Sequence, residues 1–335
     1  MPSRIAAAVI LLALFPKRPA ASVPGLPSSI HQDAVTNSTK AGLAWPNSNY
    51  DDISQFLGTG KVQWYYTWGP EPVQTDIEFV PMLWGASQTS DWDNNINNTV
   101  QQQHVTHVLG FNEPEISGQS NLTPADAATL WKAHIEPLKG LGVKLGSPAL
   151  SGAPQGKQWL QDWLTECAGG CTVDFVALHW YNINSTQFVE YLEDYHDTFQ
   201  RPVWVTEWAC ENFSDADEQC SLQDIVNLMN VTQQFMDETS WVERYAWFGA
   251  MVNLQGVNQE NALMSAQGRI NALGEQYIGA VTPNVSSDYQ PGVVHGGSGV
   301  STPISGPNTG SALTRGKIST LCVLPSLFAL VMDWS

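Results

Sequence analysis

Two glutamates stand where short apolar runs must stop. Glu113 lies in THVLGFNEPE (106–115) and Glu207 in RPVWVTEWA (201–209). Pro114 cannot donate to a sheet ladder, so pairing is expected to end beside Glu113, leaving the carboxylate at a strand's C-terminal rim. Glu207 occupies the matching place in its own run. Two carboxylates facing each other across a cleft suit glycosidic bond cleavage, in which one gives a proton to the leaving oxygen while the other stays ionised to attack or stabilise the anomeric carbon. Their mutual repulsion helps to divide those roles by raising one pKa.

Such a pair needs a scaffold that brings distant strand ends together. Between residues 42 and 282 eight apolar runs alternate with helical patterns: 42–47, 62–69, 77–85, 106–115, 143–150, 174–181, 201–209 and 244–251. Near-continuous apolar strands imply a parallel sheet covered on both faces. Thr123-Pro124-Ala125-Asp126 opens a helix with an N-cap, proline at N1 and an acid at N3, and Ser221 opens another before Asp224. Further helical stripes run through 159–164, 188–199 and 269–279, with weaker ones over 50–57 and 94–104. Eight strand–helix units over this length predict a single-domain α/β fold, a compact (β/α)8 TIM barrel, for which about 250 residues is typical. No Gly-x-Gly-x-x-Gly follows the early strands, so nothing supports a dinucleotide site.

In that architecture all strand ends share one face, where active sites sit. The ends here carry Tyr66 and Trp68, Trp84, Asn112 and Glu113, His179, Trp180 and Tyr181, Glu207 and Trp208, and Trp247. The aromatics are candidates for sugar platforms, each also able to fill the core or support a glutamate. His104 and His107 are spaced H-x-x-H without a helix-borne glutamate, so no metal and no other cofactor is expected.

Composition narrows the partners. The chain has 335 residues, 14 Lys+Arg against 32 Asp+Glu, and a formal charge of −18, which argues against nucleic acid. The run after Arg4 has the length of a signal-peptide core, so residues 1–21 are read as a signal peptide. Asn-x-Ser/Thr sequons at Asn37, Asn97, Asn121, Asn184, Asn212, Asn230 and Asn284 fit a secreted glycoprotein. In an oxidising compartment Cys167 with Cys171, and Cys210 with Cys220, are the preferred disulfides, although four cysteines allow three connectivities. A Ser/Gly/Pro-rich linker (283–311) precedes a hydrophobic tail (312–335) ordered like a GPI-attachment signal, so membrane attachment is expected only through such an anchor, and Cys322 would leave with the tail.

GFNEPE, ALHWY, VWVTEWA and AWFGAM, in that order, resemble glycoside hydrolase family 128, retaining clan A β-1,3-glucanases with a compact barrel and many fungal members. The resemblance spans 42–282. It implies Glu113 as general acid/base, Glu207 as nucleophile, Asn112 as a partner of sugar hydroxyls, and Tyr181 or His179 as the residue positioning Glu207. It implies hydrolysis of β-1,3-glucan with retention, and with the targeting signals the expectation is a secreted monomer held at the wall or plasma membrane that acts in fungal cell-wall remodelling or degradation. A non-catalytic glucan-binding protein and a glucan transglycosylase are the alternatives.

Overall fold

The computed structural model describes residues 38–215 and 217–295. The signal peptide, the sequon at Asn37, the tail with Cys322 and the linker beyond residue 295 lie outside the described residues.

All eight apolar runs form strands, paired in parallel: β1 (Ala41–Ala44), β2 (Val62–Tyr66), β3 (Glu78–Phe79), β4 (His107–Val108), β5 (Lys144–Leu145), β6 (Val176–Tyr181), β7 (Val203–Ala209) and β8 (Val242–Trp247). Six of them make one sheet in the order β3-β2-β1-β8-β7-β6, and β4 pairs with β5. Parallel bridges Met82–Leu109, Gly146–Phe175 and Leu150–Leu178 run between the two groups. The middle strands are short because Pro81, Pro114 and Pro148 lack the N–H that their ladders need.

Helices follow the strands: α1 (Thr89–Gln102), α2 (Pro124–Leu130), α3 (Gly156–Cys167), α4 (Ser185–Phe199), α5 (Leu222–Glu238) and α6 (Ala272–Tyr277). Thr123 caps α2 by accepting from the Asp126 N–H, with Pro124 in its first turn. Ser221 and Asp224 cap α5 reciprocally. The helix expected over 50–57 is only a 3₁₀ turn, Ile53–Phe56. Past Leu130 the helix widens into a π turn, and then tightens to 3₁₀ around Pro137, which supplies no N–H.

Helices and strands enclose one apolar cluster, with Trp92, Trp131, Trp163, Trp208 and Tyr277 fully buried. A second cluster fills the opposite face of the strands: Trp64, Tyr66, Val80, Met82, Leu109, Phe175, Ala177, Trp204 and Ala246. At the N-terminal strand ends the Arg244 guanidinium lies 4.4 Å from the Trp204 ring centroid and donates to Glu78 at 2.6 Å. This plug leaves the C-terminal ends for chemistry.

Gly110 lets β4 and β5 approach. A Cβ there would lie 2.9 Å from the Pro148 nitrogen and 2.8 Å from the Trp131 ring. Backbone cannot yield as a side chain can, so Gly110→Ala is expected to cost about 1–3 kcal/mol in denaturant unfolding.

Disulfides join Cys167 to Cys171 and Cys210 to Cys220, the sequential pairing. The first part of the stretch read as a linker falls within the described residues. Residues 284–295 dock on α4 and α5, with buried Tyr289 donating to Ser185 Oγ at 2.8 Å and His295 paired with Asp224 at 3.0 Å. Asn227 accepts from the Ser286 N–H, which ties the same segment to α5. The sequon nitrogen of Asn184 is packed against this segment, where a Cβ on Gly292 would come within 2.6 Å of it.

Candidate active site

Glu113 and Glu207 meet at the C-terminal strand ends, and different backbone devices aim them. Glu113 follows β4 with φ +39°, a left-handed conformation costly for a residue with a Cβ and common at functional sites. Its N–H is fixed by the Ala149 carbonyl at 2.8 Å, and the preceding Asn112 N–H by the Trp84 carbonyl at 2.8 Å. Glu207 is turned by a bulge. On β6, Leu178 pairs with Val205 but His179 pairs with Glu207, leaving Thr206 as one extra residue on β7. That residue shifts the alternation of side chains, so Glu207 faces the same side as His179 and Tyr181 while Trp208 faces the helices.

The carboxylates are tightly held. Tyr181 donates to Glu207 Oε2 at 2.5 Å, and the Trp68 indole donates to Oε1 at 2.9 Å. Tyr66 donates to the Thr206 carbonyl at 3.0 Å and lies 3.3 Å from Glu207 Oε1. His179 stands between the acids, its Nδ1 2.8 Å from Glu113 Oε1 and 3.5 Å from Glu207 Oε2. One atom each from Glu113, His179 and Glu207 fall within 4.8 Å of one another. That spacing could suit a divalent cation, but the three side chains already engage each other, Tyr181 and Trp68.

Burial pushes the Glu207 carboxyl up, and the charge of Glu113 adds to this against the opposing effects of His179, Tyr181 and Trp68. Burial alone would lower His179, but the charges of Glu207 and Glu113 outweigh it and hold its pKa up. Burial beside Glu207 also keeps the Tyr66 and Tyr181 hydroxyls protonated far above their usual range. They act as donors.

The remaining predicted residues divide sharply. Asn112 is buried beside Glu113, its amide donating to Gln119 at 3.2 Å, while its Oδ1 has no hydrogen-bond partner among the described residues. Trp84 is half-buried at the edge of the inner cluster. Of the roles open to the aromatics, Tyr66 and Trp68 take that of support for a glutamate, with 0% and 8% exposure. Trp180, Trp208 and Trp247 lie in the core. Strand alternation turns them to the helix side, where Trp180 packs on Phe188 and Tyr191, and Trp208 on Trp247.

Three participants were not singled out in the sequence. Glu115, whose pKa burial raises, accepts from the Ser151 N–H at 2.7 Å behind Glu113. The acid–Pro–acid spacing of NEPE was its available signal. Phe248 packs edge-on against both Tyr181 and Trp68, and Phe213 lies beside Tyr181.

Comparison with known proteins places this geometry among relatives. The family model of the glycosyl hydrolase catalytic core matches residues 42–277. A curated relative, alkali-sensitive linkage protein 1 of Schizosaccharomyces pombe, is 34% identical over 248 residues, 72% of this chain and 44% of that protein. The chain thus spans under half the length of that relative. Among solved structures, a family 128 (subgroup III) curdlan-specific exo-β-1,3-glucanase from Blastomyces gilchristii, in complex with glucose, is 31% identical. It has a TM-score of 0.59 over 71% of this chain and 97% of its own. A subgroup I endo-β-1,3-glucanase from Amycolatopsis mediterranei, in complex with laminaritriose, is 27% identical with a TM-score of 0.61, over 73% of this chain and 100% of its own.

Proposed function

The chain belongs to glycoside hydrolase family 128, the β-1,3-glucanases built on the glycosyl hydrolase catalytic core, and from that premise we propose that it cleaves β-1,3-glucan with retention by double displacement. The observation carrying this reading is the close approach of the two carboxylates, one oxygen of Glu113 lying within 4.8 Å of one oxygen of Glu207. Retention works with carboxyl groups about 5–5.5 Å apart, whereas inversion needs about 6.5–9.5 Å to admit a water between them. Glu207, held by Tyr181 and Trp68, attacks the anomeric carbon while Glu113 protonates the leaving glycan; Glu113 then takes a proton from the water that releases the sugar. Asn112 Oδ1, buried and unpaired, accepts from a sugar hydroxyl beside Glu113.

The scaffold in this proposal is a closed (β/α)8 barrel, supported by the parallel bridges that link β3 to β4 and β5 to β6. The protein is a metal-independent monomer, secreted and attached at the fungal wall or plasma membrane through its C-terminal signal, where it remodels or degrades the wall. Its test is reducing sugar released from laminarin or curdlan, with proton NMR of the first anomer formed. β-Anomer first supports retention, and α-anomer first contradicts it. Products longer than the substrate would favour the transglycosylase. Binding without turnover would favour the glucan-binding alternative.

Tyr181→Phe removes one charge-assisted donor from Glu207 and keeps the ring. Such a bond contributes about 1.5–3 kcal/mol, so kcat is expected to fall about 10- to 100-fold with little change in KM. A rise in KM at unchanged kcat would place Tyr181 in ground-state binding instead.

A further inference from the structure

An aromatic path leads from Glu207 to solvent. Trp68 donates to one carboxylate oxygen and Tyr181 to the other, and both rings pack against Phe248, at 6.1 and 5.7 Å between centroids. Phe213 continues the path, its centroid 5.6 Å from Tyr181. Exposure increases outward: Trp68 is 8% exposed, Tyr181 and Phe248 are half-buried, and Phe213 is 51% exposed.

Leaving half of a phenyl ring in water is a cost that a core residue would avoid, yet Phe213 is held firmly there. Its segment leaves β7 at buried Cys210, which is joined to Cys220. Glu211 is buried and accepts from Gln219 Nε2 at 2.9 Å and from the Asn258 N–H, tying the segment to the turn after β8. Asn212 Oδ1 accepts from the Ser214 and Asp215 N–H groups at 3.1 and 3.2 Å, which closes the turn that carries the ring. The phenyl face is therefore presented in a fixed place without being packed away.

We propose that Phe213 is a platform for a glucosyl unit of the glucan, beyond the sugar that reacts at Glu207. The C–H bonds on one face of a β-glucopyranose ring make an apolar surface that an aromatic ring covers, while the equatorial hydroxyls stay hydrated. Position on the path sets which sugars are affected: a unit on Phe213 stands outside Tyr181, so it contributes only when the chain is long enough to reach it. The inference rests on the glucanase reading above, and it adds a residue that sets chain-length preference.

The test compares wild type, Phe213→Ala and Phe213→Trp on laminari-oligosaccharides from three to six units. Phe213→Ala is expected to raise KM for laminarihexaose about fivefold or more, with kcat within about twofold and a smaller effect on the shortest substrate. Phe213→Trp is expected to match or improve on wild type. Affinity for laminarihexaose is measured by calorimetry in a Glu113→Gln background, where the same loss should appear in Kd. Equal KM and Kd for Phe213→Ala at every length would overturn the platform. If wild type cleaves no β-1,3-glucan, the hydrolase reading fails, and the binding arm alone still decides Phe213.

Discussion

Glu207→Ala and Glu113→Ala should each lower turnover of laminarin by at least about a thousandfold, and azide should restore them to opposite products. Without Glu207 there is no carboxylate to attack, and a small anion entering the space it leaves meets the anomeric carbon directly. One displacement inverts, so the product is the α-glycosyl azide. Without Glu113 the first step still proceeds on an aryl glycoside whose leaving group needs no proton. The glycosyl-enzyme then waits for a base, and azide, which needs none, gives the β-glycosyl azide after two displacements. The predicted split follows from which glutamate Tyr181 and Trp68 donate to and which one His179 faces at 2.8 Å. Exchanged stereochemistry would reverse the two roles. The Glu→Gln pair should be equally inactive but not rescued, because the amide still fills the space.

Thermal stability should peak in mild acid, a second large effect. Glu207, Glu115 and Glu211 all have pKa values raised from 4.5, with burial as the first cause in each. Each binds its proton more tightly folded than unfolded, so its stabilising contribution is complete below 4.5 and is lost as pH rises through the raised value. His179, raised from 6.5, acts in the same direction across neutral pH. Glu78 opposes them at the acid end: burial would raise it, but His107, Arg244 and Thr106 bring it down to about 2. Its contribution is present above 4.5 and is lost as pH falls toward that value. The formal charge of −18 also repels itself less as carboxylates protonate. The melting temperature is therefore expected to be highest near about pH 4.5 and to fall by about 5 °C or more by pH 8. A melting temperature that climbs steadily to pH 8 would contradict this account of the buried acids.

The alternation of apolar runs and capped helices located every strand, because burial on two faces leaves a clear compositional mark. The cap at Thr123 and the reciprocal cap at Ser221 were legible for a similar reason, since few residue types satisfy free backbone N–H groups. Glu113 and Glu207 stood out as acids at strand ends, where proline and a change of polarity announce the rim. The facing of the aromatics did not. Trp180 and Trp208 sit beside site residues in sequence and point the opposite way in space, and composition alone carries no record of that. Docking of residues 284–295 was equally hidden, because Tyr289 and His295 lie in a stretch whose glycine, serine and proline content reads as linker.

Thr206 has a bearing on how proteins of this kind should be compared. In VWVTEWA regular alternation would put Glu207 with Val203 and Val205, against the helices, and only the additional residue reverses it. The facing of Glu207 is thus set by how the strand pairs as well as by its letters. The same seven letters paired without the bulge would keep every side chain of the site and turn Glu207 toward the helices, whereas losing the Thr206 codon removes residue and bulge together and leaves Glu207 opposite His179. A relative whose strand is one residue shorter at this point is expected to turn its glutamate the same way, so a gap opposite Thr206 in an alignment is no sign that the site is lost.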